Sequence, residues 1–87
     1  MNDLKIKELV LKIMNKAIEK TATTASDIFV NFSGHVSSLN VYVHINGYIR
    51  GNEEFISKET YLDPSDFLSK EDIINNLQDM YDLIYSL

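Results

Sequence analysis

The stretch FVNFSGHVSSLNVYVHINGY, Phe29 to Tyr48, decides the fold. Its residues alternate between apolar and polar on both sides of Gly34-His35, the period-two pattern of half-buried strands. The first strand is predicted over 27–33, with Ile28, Val30 and Phe32 on one face and Phe29, Asn31 and Ser33 on the other. The second is predicted over 38–46. Leu39, Val41, Val43 and Ile45 make one purely aliphatic face, and Asn40, Tyr42, His44 and Asn46 lie opposite. A one-residue slip would turn that aliphatic row to solvent, so the register is well specified. Ser33 to Ser37 is then a hairpin connection, with Gly34 expected to supply the positive φ.

Working outward, residues 3–22 read as a helix capped by Asn2 or Asp3. Ile6, Leu9, Val10, Ile13 and Ala17 follow helical spacing. Leu4, Leu11 and Ile18 form a second apolar row at spacing seven, well to one side of the first. A helix lying on a sheet needs about one stripe. The second row must meet the other helix, a second copy as a dimer seam, or a partner, and the other helix is the first expectation. Thr21 to Ser26 end this helix.

On the other side of the hairpin, the bend is expected at 51–54, with Gly47 marking a bulge in a long second strand. A third strand follows over 55–62, with Ile56 and Leu62 on one face and Phe55 and Tyr61 on the other. Pro64 stops it. Ser69-Lys70-Glu71-Asp72 approximates a capping box, and Leu68 with Ile73 a hydrophobic staple, opening the last helix. Its apolar stripe is Ile73, Leu77, Met80, Ile84 and Leu87. The predicted fold is α+β: an α-β-β-β-α order, a three-stranded antiparallel meander with two helices on one face, in a single domain over 1–87.

A chain of 87 residues has a thin core. It holds no cysteine, which excludes disulfides and thiolate chemistry. The charged, periodic N-terminus does not resemble a signal peptide, and no apolar run approaches the ~20 residues of a membrane span. A cytoplasmic protein is expected, with no membrane partner. Residues 1–50 carry net +2 and residues 51–87 net −7, against −5 for the whole. An acidic half disfavours direct nucleic-acid binding. It suits a basic partner or simple solubility.

His35 and His44 lack the convergent partners that catalysis or zinc requires. His35 reads as a turn residue. The carboxylates Glu53, Glu54, Glu59, Asp63, Asp66, Asp72, Asp79 and Asp82 sit in loops, on an exposed strand edge and along the last helix, with no calcium-loop spacing. No enzyme, cofactor or metal is expected. These acids form one candidate binding surface. Spread along the last helix, Asp72, Asp79 and Asp82 give three charges over about 15 Å, where duplex DNA has roughly nine, so the helix alone mimics DNA poorly. The second candidate is the sheet face left open by the helices, with Phe29, Asn31, Tyr42 and His44. The third is the Leu4, Leu11, Ile18 row.

Phe29-Val30-Asn31-Phe32-Ser33-Gly34-His35-Val36, the long alternating strand after it and Tyr61-Leu62-Asp63 resemble small acidic proteins of Gram-positive phages and prophages. The α-β-β-β-α order is similar to that of some phage anti-CRISPR proteins. The second resemblance is architectural and implies a host protein, such as a nuclease complex, as partner of an acidic surface. Neither resemblance supplies a catalytic residue.

Overall fold

A computed structural model describes residues 3–45, 47 and 55–87. The elements are α1 (Leu4–Thr23), β1 (Asp27–Ser33), β2 (Ser38–His44), β3 (Ile56–Tyr61) and α2 (Lys70–Tyr85). The strands form one antiparallel sheet in the order β1-β2-β3. This is the α-β-β-β-α arrangement that the alternating stretch predicts.

The register follows from the aliphatic row. Val41 stands opposite Val30 and Lys58, and Val43 opposite Ile28 and Ile56. Leu39, Val41 and Val43 are fully buried beneath both helices. From α1 come Ile6, Leu9, Ile13 and Ala17, and from α2 come Ile73, Leu77, Met80 and Ile84. The helices run side by side in the same direction. Asp3, the N-cap of α1, forms an ion pair of 2.7 Å with Lys70 at the start of α2. One end of the pair is thus fixed, and farther along Lys12 lies over Tyr81 and Lys16 over Tyr85.

Local chemistry sets the helix ends. Asp3 Oδ1 accepts from the Ile6 amide. Ser69 Oγ accepts from the Asp72 amide and Asp72 Oδ2 from the Ser69 amide, a complete capping box with Asp in the place of Glu. Leu68 packs on the core beside the buried Ile73, as a staple requires.

Four expectations are corrected. α1 runs to Thr23, one residue past the expected 22, and stops at Thr24, whose amide and hydroxyl both donate to the Lys20 carbonyl. The positive φ of the hairpin falls on Ser37, at 49°, and not on Gly34. β2 ends at His44, where the Gly47 amide donates to the His44 carbonyl and Gly47 adopts φ 90°. Gly47 therefore closes a turn instead of marking a bulge, while the bend expected at 51–54 lies outside the described residues. Finally, the Leu4, Leu11, Ile18 row is not covered by the other helix. Successive helical residues are about 100° apart, which puts that row about 160° from the buried stripe, on the outer face of α1.

Candidate functional site

α1 presents the most distinctive surface. Leu4, Leu11 and Ile18 are 68%, 58% and 64% exposed, and Met14 beside them is also exposed. Toward the sheet, the row continues into a groove of about 300 Å³. Its walls are Met14, Ile18, Thr21 and Ala22 of α1 and Ile28 and Val30 of β1. The groove follows from two local facts. The C-terminal turn of α1 carries small residues there, and β1 is an edge strand. The Ile28 amide points away from β2 and donates to Thr21 Oγ1 at 3.3 Å, tying the helix end to the sheet edge.

The opposite flank of α1 has a different character. Lys12 Nζ lies 4.2 Å from the centroid of the Tyr81 ring, and Lys16 and Lys20 lie 5.4 and 5.6 Å from that of Tyr85. These cations sit over ring faces and hold α1 against α2. Lys16 also bonds Glu19 at 2.7 Å. The adjoining carboxylate raises the Lys16 pKa, and Lys16 lowers that of Glu19. The ammonium groups of this flank are therefore already engaged, in contrast to the bare apolar row across the helix.

On the open face of the sheet, Phe29, Tyr42 and His44 do come together, and a fourth ring joins them. The His44 ring lies 5.7 Å from Phe29, edge-on, and 5.5 Å from Phe55, which also meets Tyr42 at 5.7 Å. His44 is only 8% exposed, whereas Phe29 and Phe55 are 43% and 48% exposed. The cluster thus buries His44 but still presents the Phe29 and Phe55 rings to solvent. Asn31 remains exposed at its margin. Sequence reasoning placed Phe55 on the right face but missed its contact with His44. Eleven residues separate the two, and alternation does not say where a strand begins to pair. Between Asn31 and Glu59 in the register, Asn40 buries its Oδ1, and no donor among the described residues reaches it.

The acidic candidates are dispersed. Glu59 and Asp79 come together with Lys58 and Asn76 around a shallow cavity of about 180 Å³ between β3 and α2. Asp72 is engaged in the capping box, and Asp82 accepts from the Gln78 amide. Asp63 and Asp66 lie in the exposed segment between β3 and α2. Glu53 and Glu54 lie outside the described residues. His35 is an exposed turn residue. Among the described residues, no three His, Asp or Glu side chains converge as a metal site would require. No helix there is long and apolar enough to cross a membrane.

No family model, curated protein or solved structure matches the chain.

Proposed function

We propose that this chain is a non-enzymatic protein-binding domain that docks through the outer face of α1. The observation that carries it is the Leu4, Leu11, Ile18 row, more than half exposed at each position. Singly exposed apolar residues need no explanation, but Leu11, Met14 and Ile18 share one side of α1 and lead into the groove that Met14 and Ile18 line, the kind of surface that binds another polypeptide. The test uses the tagged protein as bait in a lysate of a Gram-positive bacterium, beside a Leu11→Glu/Ile18→Glu variant. Polypeptides retained by the first should be lost with the second. Equal retention by both would remove α1 as the docking face.

A second reading is that the domain inhibits a host nuclease through its acids, the partner expected from the sequence. It is favoured by Glu59 and Asp79 sharing one cavity margin. It is weakened by the work that Asp72 already does as a cap. Charge reversal at Glu53, Glu54, Glu59 and Asp79 should relieve inhibition in a CRISPR-nuclease cleavage assay. Cleavage that the unaltered protein does not slow would exclude this reading for the nuclease used.

A further inference from the structure

We infer that the outer edge of β1 takes up an extended segment of another protein as a fourth strand, paired through Val30 and Phe32. This goes beyond the docking reading above. It shares the groove beside α1 but needs neither Leu4 nor Leu11.

The backbone sets the chemistry of the occupant. β1 ends the sheet, with β2 on one side and, among the described residues, no strand on the other. In an antiparallel strand the amide and carbonyl of a residue point to the same side, and successive residues alternate. The Ile28 amide points away from β2, toward Thr21 Oγ1. Those of Val30 and Phe32 therefore point away as well, and among the described residues neither amide has an acceptor. A row of donors and acceptors repeating every 7 Å or so, about two residues of strand, is matched by another extended backbone.

The two edges of the sheet are not alike. β3 carries Lys58 and Glu59, charges that discourage a further strand. β1 has no charged residue from Ile28 to Ser33. Val30 is half-buried at the groove, and Phe32 on the same side of the strand is 53% exposed. In a strand added antiparallel, the residues opposite Val30 and Phe32 place their side chains on that same face. Apolar side chains there would fill the groove beside Met14 and Ile18 and cover Phe32. The residue between them lies across from Asn31 and suits a polar side chain. The recognised pattern is apolar, polar, apolar. Thr21 already takes the Ile28 amide, so the added strand stops short of it.

α1 decides between a free segment and a second copy. It packs on β1, while α2 packs on β3. Neighbouring strands lie about 4.8 Å apart, whereas packed helix axes need roughly 8–10 Å. Two copies joined antiparallel by their β1 edges would bring both α1 helices onto one face about 5 Å apart, which their side chains forbid. A segment with no helix of its own meets no such obstacle.

The probe is a peptide of alternating threonine and valine with a lysine at each end, acetylated and amidated. Added to 15N-labelled protein, it should shift the Val30 and Phe32 amide resonances and slow their exchange with solvent at least tenfold. A dissociation constant on the order of 0.1–1 mM is expected for so short a strand. N-methylation of its valines removes the donors facing β1 and should weaken binding at least tenfold, whereas N-methylation of its threonines should not. Phe32→Pro deletes an outward amide and spares the β2 ladder, so it should abolish the protection of Val30 with circular dichroism unchanged. No shift at millimolar peptide, equal binding of all three peptides, or shifts away from β1 would overturn the edge as the site. Protection that grows with the concentration of the protein alone would put a second copy there and overturn the free segment. The lysate comparison reads proteins lost with Leu11→Glu/Ile18→Glu and not the β1 amides, so the two readings can fail separately.

Discussion

Ser69 and Asp72 bind each other's amides at the start of α2, at 3.1 and 3.0 Å. Removing the hydroxyl in Ser69→Ala is expected to cost about 1 kcal/mol of unfolding free energy, read from a urea titration. Asp3 holds the other helix start. Its carboxylate takes a hydrogen bond from Lys70 and another from the Ile6 amide, and these hold its pKa below the ordinary carboxylate range. A lowered folded-state pKa means that the contribution is present above the unfolded pKa and lost as pH falls through the folded one. Thermal melts of the native protein and Asp3→Asn should therefore differ near neutrality and converge in acid. A gap that widened on acidification would contradict the pairing. Asn40 presents the opposite situation. Its buried Oδ1 lacks a donor among the described residues, and such an acceptor costs about 1–3 kcal/mol. Asn40→Thr keeps a polar group, removes that acceptor and suits a central strand, so its urea midpoint should rise.

At the scale of elements, the two rows of α1 should respond oppositely to truncation. Ile13 is fully buried between the sheet and α2, and Ile13→Ala should cost about 2–5 kcal/mol. Leu4→Ala, on the outer face, should change the stability of the dilute protein by less than about 0.5 kcal/mol. Equal losses would mean that the outer row is packed in solution at that concentration. The contrast also marks what was legible in the sequence. Spacing alone separated the two rows, and alternation marked β1 and β2 and put Leu39, Val41 and Val43 on the core face, whereas Phe32 and Ile45, expected on that face, are 53% and 50% exposed. These are local periodicities imposed by backbone geometry. What covers a face is not local. Neither the uncovered row of α1 nor the burial of His44 under Phe55 is encoded in a window of residues around it. The hairpin at Gly34 was legible as a bend, but glycine permits a positive φ without requiring one, and Ser37 took it. Of the candidate surfaces, the sequence grouped residues that the fold does bring to one face, both for the aromatic set and for the outer row. It could not show that the first buries His44 beside Phe55 and that the second stays uncovered by α2.

Across the whole molecule, two helices from the two ends of the chain roof a sheet made from its middle. Among the described residues, twelve hydrophobic side chains form the buried core, drawn from both helices, β2 and Leu62. Every layer depends on the α1–α2 contact, so unfolding is expected as a single cooperative step, with coincident far-ultraviolet dichroism and tyrosine fluorescence transitions. A helix signal that melted ahead of the tyrosines would show that one helix detaches alone. The shared direction of the helices has a mechanical consequence. Asp3 sits at the Lys70 end of the pair, whereas Leu87 follows Tyr85 at the other, about 24 Å along α2. Pulled by these two points, α1 and α2 would be dragged lengthwise past each other. The load would fall on the Asp3–Lys70 tether and the lysine–tyrosine contacts together, as it does on a sheared joint, rather than opening them one after another like a zip.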